Sequence, residues 1–186
     1  MRLFFAVDAG DAIRDRVTSI IEGSSIRLAP WRWIQPQNYH FTLKFLGDVD
    51  AGRLASIEQA AGLACAGTKP FRLAMGGIGG FPDLDRPRVV FYGIKRGFEA
   101  LRDLAGRLED ECVKAGFERE RRRFRAHLTL ARLSRPAPEE ALAALRAFPP
   151  MGDSAVVDVD SFVLMSSRLT RSGAIYEEVG SFSLGR

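Results

Sequence analysis

The chain has 186 residues, 46% hydrophobic and 27% charged, a balance typical of one globular domain and unlike that of disordered or membrane-spanning chains. Its net charge of +4 comes almost entirely from arginine, which suits an anionic partner without requiring one. No apolar run approaches membrane length, no signal-peptide pattern opens the chain, and Cys65 and Cys112 match no metal or redox spacing, so a cytoplasmic protein without membrane association is expected.

The first half of the chain alternates between strand and helix. Apolar residues three and four positions apart predict two amphipathic helices, and alternating apolar residues predict strands between turn signals rich in Gly, Pro and Asn. The predicted elements are a strand at 3–7, a helix at 11–22, a strand at 40–46, a helix around 54–64, and a strand at 71–75 that runs into the glycine-rich residues 76–80.

The second half repeats this order after the turn Phe81-Pro82-Asp83. The same two periodicities apply, and prolines at 136 and 138 precede the last helix. The predicted elements are a strand at 88–94, a helix at 98–112, a strand at 127–132, a short helix containing Leu142 and Leu145, and final strands at 156–165 and 174–183.

Spacing within the two halves is nearly the same. Leu3 lies 37 residues before His40, and Val89 lies 38 before His127; each histidine then stands 31 residues ahead of a residue in the next strand, Phe71 or Asp158. The chain is therefore predicted to be one α+β domain over residues 1–186. It is expected to be bilobal, with two pseudo-symmetric β-α-β-α-β halves at about 1–80 and 86–186 whose antiparallel sheets flank a central cleft.

The two histidines of the chain lie in matching motifs, His40-Phe41-Thr42-Leu43 and His127-Leu128-Thr129-Leu130. Residues i and i+2 of a strand share a face, so each histidine projects beside the threonine of its own motif. A lone histidine is more often a satisfied core or surface residue, but the repetition argues against that interpretation here. If the halves are related by a pseudo-two-fold axis, both polar faces meet in one cleft.

Such a cleft suits phosphoryl transfer. Imidazoles with an ordinary pKa of about 6.5 can act as base and acid near neutral pH, and hydroxyl groups can donate to the phosphoryl oxygens. Two histidines alone fall short of the three or four ligands usual for zinc, and neither motif has a carboxylate or cysteine at ligand spacing. No serine or cysteine nucleophile motif is present. We therefore expect no metal and no cofactor.

The chain resembles the 2H phosphoesterase superfamily, and within it the RNA 2′,3′-cyclic phosphodiesterases once called 2′-5′ RNA ligases. Phe41 stands where the family more often has an aliphatic residue and Ala126 where it often has proline, both off the catalytic face. The matching segments are Arg2-Leu3-Phe4-Phe5-Ala6-Val7, Tyr39-His40-Phe41-Thr42-Leu43-Lys44-Phe45-Leu46-Gly47, Gly80-Phe81-Pro82 with Arg86-Pro87-Arg88-Val89-Val90, Phe124-Arg125-Ala126-His127-Leu128-Thr129-Leu130-Ala131-Arg132, and Ser166-Ser167 with Gly173 and Tyr176.

The resemblance implies metal-independent hydrolysis of an RNA or nucleotide 2′,3′-cyclic phosphate to a 2′-phosphomonoester. It implies that His127 is the general base (proton acceptor) and His40 the general acid (proton donor), and that Thr42 and Thr129 bind the phosphate. The sequence symmetry alone does not assign the two histidine roles. The partners expected are RNA ends or nucleotides that carry a cyclic phosphate, and a monomer is expected.

Several residues keep two interpretations. Arg132 alternates away from the histidine face on a regular strand, so it is either a phosphate contact brought round by a bulge or a solvated arginine. Phe81, on its turn, is the candidate for base stacking, whereas Trp33 and Tyr176 favour core packing. The arginine run at 119–125 either follows an RNA backbone or forms a solvated edge.

Two other functions remain open from the sequence. One is 2′-5′ RNA ligation, the reverse chemistry, which would use the same acid–base pair. The other is a nucleotide- or RNA-binding module that no longer turns over, although two complete motifs argue against it.

Overall fold

The computed structural model describes residues 1–24, 31–152, 155–170 and 173–185, which contain four α-helices and nine strands. The helices are α1 (Asp11–Glu22), α2 (Leu54–Cys65), α3 (Phe98–Lys114) and α4 (Glu139–Arg146). The strands are β1 (Arg2–Asp8), β2 (Arg32–Trp33), β3 (His40–Asp48), β4 (Phe71–Phe81), β5 (Val89–Arg96), β6 (Leu128–Arg132), β7 (Val156–Val159), β8 (Ser161–Thr170) and β9 (Gly173–Ser183).

The nine strands of the described residues form one antiparallel sheet in the order β7-β4-β5-β6-β3-β1-β8-β9, with β2 paired to β6. The two middle strands, β3 and β6, share only one residue pair, Phe41 with Leu128. Two sub-sheets, β7-β4-β5-β6 and β3-β1-β8-β9, therefore meet at the strands that carry the two histidine motifs. The predicted α+β domain with antiparallel sheets is confirmed, whereas its division at about 1–80 and 86–186 stays a prediction.

The last strand region differs from the sequence prediction. Residues 156–165, predicted as one strand, divide at Asp160 into β7, which pairs with β4, and β8, which pairs with β1. These partners lie in opposite sub-sheets, so the sheet must curl to bring its two ends to neighbouring residues of the chain. β8, and not β7, therefore lies next to β1. It begins at Ser161, three residues after Asp158, the residue to which the spacing from His127 was counted.

Two other boundaries also differ. The glycine-rich residues 76–80 continue β4 instead of ending it. The missing side chain at Gly79 leaves room for the ring of Phe91 on the paired strand, since a Cβ there would lie 2.5 Å from that ring. His127 lies immediately before β6, which begins at Leu128. The remaining helices and strands agree with the prediction to within a few residues.

The core lies between the helices and one face of the sheet. Ile13 and Val17 of α1, Ile57 of α2 and Leu101 and Leu108 of α3 are buried at helical spacing, as the amphipathic patterns predict. None of the helices in the described residues is long and apolar enough to cross a membrane.

One charge is enclosed within this core. Lys44, 4% exposed, is the one buried charged residue in the described part of the chain; its Nζ lies 2.9 Å from a carboxylate oxygen of Glu109 and donates to the carbonyl of Glu118 at 3.1 Å. This contact joins β3 of one half to α3 and to the segment that follows α3.

Candidate active site

The single pairing of β3 with β6 brings the two histidine motifs together. Phe41 faces Leu128, so the same antiparallel register sets His40 opposite Thr129 and Thr42 opposite His127. The two histidines are therefore diagonal neighbours on one face, where Cβ atoms lie roughly 7–8 Å apart or somewhat less. Phe41 and Leu128 are fully buried on the opposite face. The cleft predicted from the motifs thus has a four-residue floor of two imidazoles and two threonines.

Both imidazoles are held in the same way. His40 Nδ1 lies 2.7 Å from the carbonyl oxygen of Asn38, and His127 Nδ1 lies 2.6 Å from that of Arg125. A carbonyl oxygen only accepts, so Nδ1 carries the hydrogen in each ring and donates it. The Nε2 atom of each ring is therefore the nitrogen that can exchange a proton with a substrate. The Asn38 side chain in turn donates to the carbonyl of Ala174 at 3.1 Å, which fixes the turn before β3 to β9.

The two threonines are not equivalent in their contacts. Thr42 Oγ1 lies 3.1 Å from His40 Nε2, so its hydroxyl donates to the neutral ring or accepts from the protonated one. The hydroxyl of Thr129 has no hydrogen-bond partner among the described residues and is half-buried in the cleft. Thr129 is therefore the threonine whose hydroxyl is available to an incoming oxygen.

Aromatic rings pack against each histidine. The His40 ring lies 5.0 Å from that of Phe4 and 5.4 Å from that of Tyr176, with Tyr176 nearly perpendicular. On the other side, the His127 ring lies 4.9 Å from that of Phe81 and 5.2 Å from that of Phe91. The walls restrict the imidazole rotamers and reduce contact with water.

Burial lowers the pKa of both histidines, because the apolar surroundings disfavour the charged ring. The carbonyl that accepts from each Nδ1 acts in the opposite direction. Around His40, the charges of His127 and Arg132 lower the pKa further, while the carboxylate of Asp8 raises it. Around His127, Arg132 and Arg125 both lower the pKa. The guanidinium of Arg132 is thus close enough to act on both rings.

A bulge explains how Arg132 reaches the cleft. Phe91 pairs with Thr129 and Val90 with Ala131, so Leu130 is left without a partner on β5. The extra residue reverses the alternation. Arg132 then pairs with Val89, which shares its face of β5 with Phe91, the ring that packs on His127. Of the two interpretations of Arg132, the register favours the one in which a bulge brings it to the histidine face.

The other residues singled out in the sequence lie as follows. Phe81 is at the end of β4 on the His127 side, 4.4 Å from the ring of Phe91 and under the guanidinium of Arg125 at 5.1 Å. Tyr176, for which core packing was favoured, forms part of the His40 wall, whereas Trp33 packs at the margin of the core. In the arginine run, Arg119 pairs with the exposed carboxylate of Asp110 at 2.7 Å.

Sequence reasoning missed the second layer of the site. Asn38 and Arg125 each stand two residues before a histidine, and that repeated offset is the signal that marks their carbonyls as anchors. Phe4 and Phe91 carried a weaker signal, since they lie on β1 and β5, the first strands of the two predicted halves. Within the described residues, no group of three or more His, Cys, Asp or Glu side chains is arranged to hold a metal ion.

A groove of about 590 Å³ opens beside the cleft, between the end of β3 and the segment after α3. Phe45 and Leu46 line one side and residues 116–122 the other. Its charges are mixed, with Asp48, Asp50, Glu118 and Glu120 beside the arginines, so it has no strong preference for an anion.

Comparison with known proteins gives consistent matches over the whole chain. The model of the 2′-5′ RNA ligase superfamily matches residues 32–171. The RNA 2′,3′-cyclic phosphodiesterase of Archaeoglobus fulgidus is 38% identical over 98% of this chain and 99% of its own length, and that of Methanothermobacter thermautotrophicus is 36% identical over 99% of each.

Solved structures agree with these matches. E. coli LigT complexed with NADP+ superposes with a TM-score of 0.80 at 28% identity, covering 100% of this chain and 98% of that one. The Thermus thermophilus protein TT0787 gives a TM-score of 0.79 at 29% identity, covering 99% of this chain and 98% of that one.

Proposed function

The chain belongs to the 2′-5′ RNA ligase superfamily, and we propose that it hydrolyses RNA or nucleotide 2′,3′-cyclic phosphates to 2′-phosphomonoesters without a metal ion. The relatives named RNA 2′,3′-cyclic phosphodiesterase support the reaction class. The observation that carries the proposal is the matched pair of imidazoles, each anchored through Nδ1 to a carbonyl two residues before it, with both Nε2 atoms left for one cleft.

The reaction is an in-line displacement at phosphorus. His127 Nε2 takes a proton from water as the water oxygen bonds to phosphorus, and His40 Nε2–H gives a proton to O3′ as the P–O3′ bond breaks. The product is a 2′-phosphate with a free 3′-hydroxyl. The starting form needs neutral His127 and protonated His40, and the pair ends with those states exchanged.

Two charges act in the sense that this order needs: Asp8 raises the pKa of His40, and Arg125 lowers the pKa of His127. Arg132 lowers the pKa of both rings, and a charged His127 lowers the pKa of His40. A bound cyclic phosphate adds one negative charge between the rings and offsets part of the effect of Arg132. These contacts distinguish the two histidines where the motifs do not.

The remaining groups would hold the phosphoryl oxygens. The unpartnered hydroxyl of Thr129 and the guanidinium of Arg132 project from the same face of β6, and a donor aimed at an equatorial oxygen stabilises the transition state more than the ground state. Thr42 also contacts His40 directly, because its hydroxyl oxygen lies 3.1 Å from Nε2 of that ring.

Ligation of a 2′,3′-cyclic end to a 5′-hydroxyl would use the same pair of histidines. The high concentration of water favours hydrolysis. We propose that the protein acts as a cytoplasmic monomer.

The test is turnover of a nucleoside 2′,3′-cyclic phosphate in the presence of a chelator, with identification of the product. We expect a 2′-phosphate, and falls in kcat of at least about 10²-fold in His40→Ala and His127→Ala with circular dichroism unchanged. Undiminished hydrolysis in either variant would overturn the site, a 3′-phosphate would overturn the choice of leaving oxygen, and abolition by the chelator would overturn metal independence.

A thio-substituted substrate tests the two roles. With sulphur in place of O3′, the leaving thiolate needs little protonation, because thiols are far more acidic than alcohols. The general-acid variant should then recover much of its rate, and the general-base variant should not. Recovery is expected in His40→Ala; recovery in His127→Ala instead would reverse the assignment.

A further inference from the structure

Arg32 lies beside Arg132 on the cleft face of the sheet. The two residues are paired across β2 and β6, so their side chains leave the same face, with Cβ atoms roughly 4.5–5.5 Å apart. The alternation around β2 agrees, because Trp31 and Trp33 pack against the core while Arg32 between them is exposed. Since the bulge on β6 brings Arg132 to the cleft face, Arg32 lies on that face too.

The two guanidinium groups form a concentration of positive charge next to the histidines. Their row across the sheet continues from Arg132 to Val89 and Phe81, so its other members are apolar. Like charges directly opposite each other destabilise a pair of strands, and an anion between them offsets the repulsion. The planar forks of two arginines suit a phosphate group. The pair therefore has the character of a second anion site, outside the floor of histidines and threonines.

The other half of the repeat has no such pair. Arg32 stands eight residues before His40, and Arg119 stands eight residues before His127. Arg119 lies outside the sheet and pairs with Asp110 of α3 at 2.7 Å. The second anion site thus marks one end of the cleft and not the other.

The direction of the reaction determines which anion reaches Arg32. The leaving O3′ faces His40 in the proposed mechanism, so the nucleoside lies on the His40 side of phosphorus. β5 occupies one edge of β6, and β2 and β3 share the other, which puts Arg32 on the side of His40. The next anion of an RNA chain is the phosphate on O5′ of the same nucleoside, one nucleotide from the cyclic phosphate.

We propose, on the basis of the function proposed above, that Arg32 binds the phosphate on O5′ of the nucleotide that carries the cyclic phosphate. Arg132 stands between the two phosphates and Arg32 is the outer cation. In agreement, Arg132 lowers the pKa of both histidines, and Arg32 is not among the described charges that act on them. A nucleoside 2′,3′-cyclic phosphate has no phosphate on O5′, so Arg32 makes the protein selective for RNA ends.

The other arginines near the cleft are less suitable. The guanidinium of Arg125 lies over the ring of Phe81 at 5.1 Å, on the His127 side. Arg121 and Arg122 line the groove beside the cleft, where four carboxylates accompany them. Arg32 is the arginine that adjoins Arg132 on the side of the nucleoside.

The experiment compares three substrates that differ only at O5′. They are adenosine 2′,3′-cyclic phosphate, its 5′-phosphorylated form, and the dinucleotide ApA with a 2′,3′-cyclic phosphate end. A hydrogen bond to a charged group contributes a factor of about 10 to 150, and less where water screens it. We expect Arg32→Gln to lower kcat/KM by about 5- to 30-fold on the two substrates with a phosphate on O5′, mainly through KM, and less than about twofold on adenosine 2′,3′-cyclic phosphate.

Two further variants refine the result. Arg32→Lys keeps the charge without the planar fork and should recover part of the loss on both phosphorylated substrates. Arg119→Gln makes the same change of charge at the same distance before the other histidine, and should change all three rates by less than about twofold.

Several results would overturn the proposal. Equal losses of Arg32→Gln on all three substrates would mean that Arg32 acts on the reacting phosphate or on the fold, and no loss on any would mean that it does not bind substrate. A loss on the dinucleotide alone would place the contact further along the RNA, and a loss on the 5′-phosphorylated mononucleotide alone would mean that a terminal phosphate and not an RNA chain is bound. Equal losses in Arg119→Gln would make the effect one of net charge. The function proposed above is tested separately, because histidine-dependent turnover of adenosine 2′,3′-cyclic phosphate by wild type stands or fails regardless of Arg32.

Discussion

Replacing Arg132 should change both the rate of the enzyme and its pH dependence. The β6 bulge directs this side chain to the cleft face, three residues from Thr129, which is roughly 10 Å along a strand and within reach of an extended arginine. A hydrogen bond to a charged group contributes about 1.5–3 kcal/mol. We therefore expect Arg132→Gln to lower kcat/KM by about 10- to 150-fold. Arg132→Lys keeps the charge without the planar fork and should recover part of the loss.

The pH profile supplies a second, independent readout. The active form needs neutral His127 and protonated His40, so kcat/KM should be bell-shaped, with limbs that report the two histidines of the free enzyme. Burial lowers the pKa of both, so the optimum should lie below about 6.5, the ordinary value. Arg132 lowers both further. Removing its charge raises both, and the whole bell should move to higher pH in Arg132→Gln but stay in place in Arg132→Lys.

Initial rates on a nucleoside 2′,3′-cyclic phosphate across the acidic to mildly basic range, at constant ionic strength, measure both effects. Arg102→Gln is the matched control, because Arg102 is an exposed arginine on α3 whose nearest partner is the adjacent Asp103. A bell that stays in place in Arg132→Gln, or a loss no larger than that of the control, would show that Arg132 is a solvated arginine and refute its assignment to the phosphate.

Three further changes probe separate parts of the structure. Asp8→Asn removes the carboxylate that raises the pKa of His40, so the limb of the kcat/KM profile that reports His40 should move to lower pH while the other limb stays; two unmoved limbs would show that Asp8 does not act on His40. Thr129→Val should lower kcat/KM about ten- to hundredfold with an unchanged thermal midpoint, since the hydroxyl has no partner in the described structure, and an unchanged rate would exclude Thr129 from phosphate binding. Lys44→Met leaves the carboxylate of Glu109 without its buried cation and should lower the free energy of unfolding by about 2–3 kcal/mol, or roughly 4–12 °C in Tm. Lys114→Met, which removes an exposed ion pair with Glu111, should leave Tm nearly unchanged.

The sequence predicted which strands carry the histidines, and that each histidine shares a face with its threonine, because both conclusions need only a regular strand over three residues. It did not predict the orientation of the residues after them. The bulge on β6 leaves Leu130 and Ala131 buried in succession, and this pair of adjacent apolar residues was a usable signal. A second bulge lies at Leu43 on β3, because Phe5 pairs with Lys44 and Ala6 with Thr42. On β3 the equivalent pair is Leu43 and Lys44, and a lysine gives no sign of burial until Glu109 and Glu118 are seen beside it.

Long-range pairing was also beyond the sequence. Residues 156–165 alternate without interruption, so no local feature marks Asp160 as the point where the chain passes from the partner of β4 to the partner of β1. That change depends on the curl of the whole sheet. The repeat spacing was informative for β1 with β3 and for β5 with β6, which pair in the same antiparallel way, whereas β4 pairs with β5 and β7 of the other predicted half.

The two motifs are alike in every group that performs chemistry, so the direction of proton transfer has to come from the groups that differ. Two differences bear directly on the histidines: Asp8 acts on His40, and Arg125 acts on His127. A third lies at the fifth position after each histidine, where a bulge brings Phe45 of β3 and Arg132 of β6 to the cleft face. Asp8 favours a protonated His40 and Arg125 favours a neutral His127, which is the orientation that the proposed mechanism uses. The direction of proton transfer thus depends on residues outside the two motifs, because a symmetric pair of histidines alone leaves it undetermined.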